Sequence, residues 1–571
     1  MNTTIDRSGP TTPARRDVGR SLRALLGAAA ALLLLVPGLA GAYVGAIASP
    51  DRYGADTAEE VLKAGGNAVD AAVAVDFTLA VTYPEAGNLG GGGFATVYFK
   101  GKPYFLDYRE RAPAAASAAM YLDAKGDVIP DASTVGARAV AVPGTVMGLW
   151  QLHHRFGVLP WKRLVEPAIR YAREGFVASE QLSERKTDTI KALRGRTNFA
   201  TYFGAVTPGA ALRQPELAAT LERIARGGIR GFYAGETARL IVSQMARDHG
   251  LVTAHDLAAY RAVWRAPLEA DWAGLRIITA PPPSSGGIAL VSLLKMKATI
   301  APLFTGVPLN SAQYVHLLAE LEKPVFADRA EYLGDPDFYP VPVARLVDDD
   351  YLAARARQVS TERPTPTATV GPGLAEHHNT THFSVVDRWG NAVSNTYTLN
   401  DDFGAAVVVT GAGFLLNNEM DDFSVKPGAP NLYGVVGGDA NAIAPGKTPL
   451  SSMAPTILTR DGKVVLVIGT PGGSRIFTSV FQVINDWHDF RLPLAEAVAA
   501  TRVHHQLLPS DTIFEEPYRG LDAPTRQALE ARGYRFENQG FNGDIEAVEV
   551  TSEGAIAAPD PRGIGVGRVI H

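Results

Sequence analysis

At Thr380 the pattern of this chain changes abruptly. Ser360 to His378 is rich in Thr and Pro, carries Gly371-Pro372-Gly373, and shows no apolar periodicity. After Asn379 comes Thr380-Thr381-His382-Phe383-Ser384-Val385-Val386-Asp387, whose β-branched and aromatic residues give it the composition of a buried strand. A segment that cannot pack therefore runs straight into one that must. The junction also carries a hydroxyl. A cut there would free an α-amino group beside the Thr380 hydroxyl, placing nucleophile and base in one residue.

The chain reads differently on the two sides of the junction. Upstream, apolar spacing and caps predict helices over Asp56–Lys63, the Ala/Val-rich segment capped by Asn67, Gly144–His154, Trp161–Arg173, Pro215–Arg226, Glu236–Asp248, Ile288–Lys297 and Ser311–Tyr332, the last kinked at Pro324. Strands are expected at Phe94–Phe99, Tyr104–Asp107 and Arg276–Thr279. Downstream, strands dominate: Thr381–Asp387 with Ala392–Leu399, and Met453–Thr459 with Val464–Ile468 across Asp461-Gly462. Helices follow at Ser474–Asp486 and Leu494–Thr501. Helices and strands in blocks point to an α+β fold, sheets covered by helices, rather than a βαβ alternation. The length of 571 residues on its own favours about three or four domains.

Chemistry is narrowed by what is missing. The chain has no cysteine, which excludes disulfides, a thiol nucleophile and Cys-ligated zinc. Any nucleophile is then Ser, Thr, Lys or a carboxylate. A net charge of -5 without a basic run gives no footprint for nucleic acid. Arg15, Arg16, Arg20 and Arg23 precede the uncharged run Ala24 to Val36, and Ala40-Gly41-Ala42 fits a small-residue cleavage site. Residues 1–42 read as an export signal, so the mature chain is expected to begin near Tyr43 and to be periplasmic or secreted.

Several motif matches fail. Gly446-Lys447-Thr448 has Asn441 where a phosphate-binding loop needs its first glycine. His378 and His382 have helical metal-pair spacing, but the residues after His378 are strand-like. What remains is a set of polar and glycine clusters in otherwise apolar segments: Gly87-Asn88-Leu89-Gly90-Gly91-Gly92-Gly93, Asp107-Tyr108-Arg109-Glu110, Ser284-Ser285-Gly286-Gly287, Asn417-Asn418-Glu419-Met420-Asp421-Asp422, Ser451-Ser452 and Gly469-Thr470-Pro471-Gly472-Gly473-Ser474. Together they offer a cation, carboxylates, hydroxyls and exposed backbone amides. Those are the groups that hold a zwitterionic amino-acid end and an oxyanion.

With these clusters in view, the chain resembles the γ-glutamyltransferase (γ-glutamyltranspeptidase) family of N-terminal-nucleophile hydrolases. The resemblance runs from about Val44 to about Arg562 and includes Gly65-Gly66-Asn67-Ala68-Val69-Asp70-Ala71-Ala72 and the whole Thr380–Asp387 run. It implies an αββα sandwich, one domain built from two autoprocessed subunits, 43–379 and 380–571, cut between Asn379 and Thr380. It implies Thr380 as nucleophile, Thr398 as its supporting hydroxyl, and Gly472 and Gly473 as the oxyanion pair. Arg109 matches the residue that grips the donor α-carboxylate, Asp422 and Glu419 the α-amino binders, with Asn400, Ser451 and Ser452 completing the cradle and Tyr433 on a lid loop. Members of the family carry either Glu or Gln at the position of Glu419. The implied substrates are glutathione and other γ-glutamyl compounds, with water, amino acids or dipeptides as acceptors, and neither cofactor nor metal is called for. Two alternatives stand beside this reading: a cephalosporin (glutaryl) acylase of the same fold, and an exported amino-acid-binding protein without catalysis.

Overall fold

Asn67 both ends one turn and starts a helix. Its side chain accepts the N–H groups of Val69 and Asp70, and Asp70 accepts the Asn67 N–H in return, a reciprocal cap. The computed structural model describes Met1 and residues 43–370, 380–426, 438–538 and 543–571. Within it α1 is Arg52–Lys63 and α2 is Ala68–Thr82, every residue of α2 buried. A helix apolar all round belongs inside, and α2 is covered on several sides.

The strands that matter form two sheets. The first is built from β1 (Gly45–Ser49), β2 (Gly92–Phe99), β3 (Lys102–Asp107) and β4 (Val263–Arg265), while β5 (Leu268–Trp272) and β6 (Leu275–Thr279) begin the second. Beyond the junction come β7 (Thr381–Asp387), β8 (Ala392–Thr398), β9 (Thr456–Arg460), β10 (Lys463–Gly469), β11 (Glu546–Thr551), β12 (Gly554–Pro559) and β13 (Val566–Ile570). The seven-stranded sheet has the order β13-β1-β7-β8-β2-β3-β4 and the six-stranded sheet β12-β11-β10-β9-β6-β5. Every neighbouring pair in both is antiparallel. The strands come from both sides of Thr380, and β1 lies between β13 and β7.

Three apolar layers hold these sheets. One joins α1, α2 and the following helices to the outer face of the first sheet through Phe383, Val385, Val393 and Tyr397. A second lies between the sheets, with Ala46, Val386, Ile457 and Val467. The third joins the second sheet to α3 (Gly286–Thr299), α4 (Ala312–Tyr332) and α5 (Arg475–His488). This is the αββα sandwich. Residues Tyr43–His571 form one compact unit, where length alone favoured about three or four domains. Within that unit α4 continues through Pro324. The strand expected from Met453 starts only at Thr456, because Ser451 to Met453 are occupied with the Ser284 turn: the Ser284 hydroxyl donates to the Met453 carbonyl at 2.6 Å.

The alternation of β7 and β8 sets up the site. Phe383 and Val385 face the helices, so His382 and Ser384 face the second sheet. On β8, Ser394, Thr396 and Thr398 share that inter-sheet face, with Ser394 Oγ donating to the Ile468 carbonyl at 3.0 Å. The register pairs Thr381 with Tyr397 and Val386 with Ala392. Asp387 closes the hairpin, accepting the N–H groups of Trp389 and Asn391 at 2.9 and 3.0 Å, and ties it to α2 through the Ala68 N–H at 2.9 Å.

The glycine run before β2 is explained by close approach of backbones. A Cβ on Gly91 would lie 2.0 Å from the Thr398 carbonyl oxygen, and one on Gly90 2.1 Å from that of Leu415. Asn88 reinforces the contact, its Nδ2 donating to the Thr398 carbonyl at 2.8 Å and its Oδ1 accepting the Gly91 N–H at 2.9 Å. Gly91→Ala therefore forces β8 and the β2 turn apart, a strain of about 1–3 kcal/mol. We expect a lowered thermal unfolding midpoint; a midpoint equal to that of the parent protein would refute the contact.

Candidate active site

Thr380 stands at the head of β7 and is 7% exposed. Its Oγ1 donates to Thr398 Oγ1 at 3.3 Å, and Thr398 Oγ1 accepts the Asn400 N–H at 2.8 Å. Two hydroxyls and an amide thus form a short relay at the open end of the inter-sheet face. Next in the stripe, His382 is fully buried. Its ring contacts Thr396 Oγ1 at 2.8 Å and Ser384 Oγ at 3.1 Å, and burial pulls its pKa down to about 3. His382 is therefore a neutral packing residue whose two ring nitrogens both face hydroxyls. Among the described residues no group of three or more His, Asp or Glu has the geometry to hold a metal ion. His378, the proposed partner, lies outside the described residues, as do Asn379, Tyr433 and the export signal.

A second cluster adjoins this relay. Asn400 Nδ2 donates to the Asn418 carbonyl at 3.0 Å, and the Asn418 N–H donates to the Leu399 carbonyl at 3.0 Å. The turn Glu419–Asp422 follows directly. Asn400 Oδ1 is buried and has no hydrogen-bond partner among the described residues, so it is an acceptor left facing the site. Arg109, just past β3 and 1% exposed, is the cation. Its Nη1 lies 2.5 Å from Glu419 Oε1 and 3.9 Å from Glu110 Oε2, and its Nη2 donates to Asp422. Nε and Nη2 also donate to the carbonyls of Pro449 and Leu450 at 3.1 and 3.2 Å, which brings in Ser451 and Ser452. The planar fork serves three carboxyls and two backbone carbonyls at once, something a lysine cannot do.

The serines are themselves held. Ser285 Oγ donates to the Ser451 carbonyl at 2.7 Å, while Arg329 on α4 donates to Ser285 Oγ at 3.0 Å and to Ser452 Oγ at 3.1 Å. The glycines Gly472 and Gly473 lie between β10 and α5 with φ of 132° and 60°, a region that glycine alone enters freely. Gly469, three residues earlier, packs on the His382 ring, where a Cβ would come within 2.4 Å of it. The turn therefore sits over β7 close to its beginning. Asn88 and Asn418 lie within the clusters that the sequence singles out, whereas Arg329 lies outside all of them. Arg329 lies between Asp328 and Glu331, a run that reads in sequence as a charged outer face, so the sequence gives no sign of its burial.

Three comparisons with known proteins now bear on this site. The family profile described as Gamma-glutamyltranspeptidase matches residues 54–570. The chain belongs to that family. It is 62% identical to the "Glutathione hydrolase proenzyme" of Pseudomonas aeruginosa over 92% of this chain and 94% of the relative. Among solved structures it is similar to the γ-glutamyltranspeptidase of Pseudomonas nitroreducens complexed with L-DON, at 58% identity and TM-score 0.56, covering 57% of this chain and 97% of that one. It is also similar to a cephalosporin acylase from Bacillus halodurans, at 26% identity and TM-score 0.81 over the whole of both chains. Both likenesses place the fold among N-terminal-nucleophile hydrolases, as the sandwich does.

The charge around Glu419 is unevenly balanced. One guanidinium stands among the buried Glu110 and Glu419 and the partly buried Asp422, and burial pushes Glu419 up to about 8 and Glu110 up to about 7 against the pull of Arg109, with the charge of Glu110 adding to the rise at Glu419. A carboxyl whose folded pKa is raised binds a proton that unfolding releases. Its contribution to stability is complete below its ordinary value of 4.5 and is lost as pH rises from there towards 8. Glu419→Gln mimics the protonated form. We expect its stability to fall less than the parent's between pH 5 and pH 8.5, by a few kcal/mol as an order of magnitude. Parallel denaturation midpoints for the two proteins across that range would rule this out.

Proposed function

We infer that this protein is a γ-glutamyltransferase with glutathione hydrolase activity. It is read as an exported precursor that cuts itself between Asn379 and Thr380 into a 43–379 and a 380–571 subunit. The observation that carries the reading is the Thr380–Thr398 hydroxyl pair, joined through Asn400 and Asn418 to a buried cation shared among carboxyls.

The chemistry follows in balanced steps. In maturation Thr380 Oγ attacks the Asn379 carbonyl, the peptide nitrogen takes the hydroxyl proton, and an ester replaces the amide. Water hydrolyses that ester and leaves Thr380 with a free α-amino group. In turnover the amino group accepts the hydroxyl proton as Oγ attacks the γ-amide carbon. Such groups titrate near 7.7–8.0, so the neutral form is available at ordinary pH. Backbone N–H groups of the Gly472–Gly473 turn receive the oxyanion, each such donor contributing about 3–4 kcal/mol to lowering the barrier. The amino group passes its proton to the departing amine, and water or an amino-acid acceptor then takes the γ-glutamyl group from Oγ.

Charge explains the choice of donor. The substrate's α-carboxylate takes the two-point fork of Arg109 in place of Glu419 and Asp422, and its ammonium becomes the cation those two carboxyls turn to. Asn400, Ser451 and Ser452 complete the cradle, with Tyr433 as the lid residue. The likeness to a cephalosporin acylase favours a second reading, hydrolysis of glutaryl amides, but a glutaryl group has no ammonium to set against the carboxyls. Residues 1–42 are read as the signal that takes the chain to the periplasm or the medium; among the described residues no helix is long and apolar enough to cross a membrane.

Two measurements test this. Thr380→Ala should persist as one uncut, inactive chain by intact mass, and normal two-chain maturation would refute the nucleophile. Parent enzyme should hydrolyse γ-glutamyl-anilide faster than glutaryl-anilide, and the reverse preference would favour the acylase.

A further inference from the structure

The stretch before Thr380 has no apolar pattern, yet Ser360–Val370, the part of it that the structure describes, is fixed at several points. The grip comes from α4. Glu320 and Lys323 are buried at 3% and 1% exposure and bridged at 2.7 Å one turn apart. Both reach the same residue, Thr365. The Thr365 N–H donates to Glu320 Oε1 at 3.0 Å, the Thr365 hydroxyl donates to Glu320 Oε2, and Lys323 Nζ donates to the Thr365 carbonyl at 2.8 Å. The third donor of Lys323 faces Asp511 Oδ1 at 3.5 Å, so its full inventory is matched. On either side, the Ser360 carbonyl meets His316 Nε2 at 3.0 Å and the Thr367 hydroxyl donates to the Leu507 carbonyl at 3.1 Å.

Taking an ion pair out of water costs several kcal/mol per ion unless the remaining hydrogen-bonding capacity is satisfied. The apolar side of α4 already packs it into the core through Leu317, Leu318 and Leu321, so the pair is not needed to seat the helix. What it does is supply donors and acceptors to a segment with almost nothing apolar to bury. Glu320 and Lys323 touch none of the residues assigned to donor binding. Their reach is to the chain leading to the scissile bond.

We propose that Glu320 and Lys323 form a clasp on Thr365 that positions the precursor for self-cleavage, and that they act on maturation but not on turnover. The proposal rests on the cut before Thr380. Attack by Thr380 Oγ on the carbonyl just before it succeeds only from a narrow range of peptide orientations, and small misplacements of such groups cost up to about a hundredfold in rate. The downstream side of that peptide is fixed by β7. Upstream, Thr365 is where the described backbone is gripped on both its N–H and its carbonyl.

The test is a pulse-chase of the full-length precursor, scoring its conversion to two chains. Thr365→Val keeps the volume and loses the hydroxyl, and the double variant Glu320→Gln/Lys323→Met removes both charges together; Thr365→Ser restores the hydroxyl. Thr365 is half-buried in irregular chain, so its variants should fold normally. We expect maturation slowed about tenfold or more in Thr365→Val and in the double variant, and restored in Thr365→Ser. The fully matured forms should show parental kcat and KM towards γ-glutamyl-anilide. Parental maturation rates in both slowed variants, or a changed KM in their matured forms, would overturn the clasp. A parent protein that stays one chain would instead overturn the cut on which it rests.

Discussion

The structure depends on one arrangement of hydrogen-bond ladders. β1 pairs with β13 on one side and β7 on the other, and β8 pairs with β2, so strands from upstream and downstream of Thr380 share every part of the first sheet's centre. Because neighbouring strands are antiparallel, the beginning of β7 lies beside the end of β8. That register is what sets Thr380 against Thr398. The same ladder keeps a cut chain together, since each piece lacks the partners of its own central strands.

On this frame the active site is a change of polarity within one layer. Between the sheets the side chains run from apolar, at Val386 and Val467, to polar, at His382, Thr396, Thr398 and Thr380. Further out stands the Arg109 cluster, held by backbone carbonyls as much as by carboxylates. An excess of buried carboxyls around one fixed cation costs folding energy, and under the proposed function a substrate ammonium is what offsets it.

Much of this could be read from the residues. Long helices with caps and the β7–β8 hairpin carry strong local signals, and the polar clusters stand out in apolar surroundings. β1 does not: Gly45-Ala46-Ile47-Ala48-Ser49 has little β-branched content and is a strand because β7 and β13 flank it. β4 and β5 and the helix Glu180–Leu193 were missed for a like reason, their periodicity being short or mixed. In the site, Arg109, Glu419 and Asp422 were recognisable as a set only through the family resemblance, because their meeting depends on contacts about three hundred positions apart in sequence. Asn88 acts on a residue 310 positions away and Arg329 on residues 44 and 123 positions away, and both left only weak marks.

His382 carries a last consequence. Its imidazole packs against Gly469, where there is no room for even one more carbon, and burial holds its pKa down to about 3. The gap between the sheets at this end is thus gauged by the thickness of a ring. The glycine turn rises from the strand resting on that ring, so its height above β7 is a mechanical dimension, insensitive to salt and acidity. A thinner or thicker spacer at 382 would retune the site without touching any group that reacts.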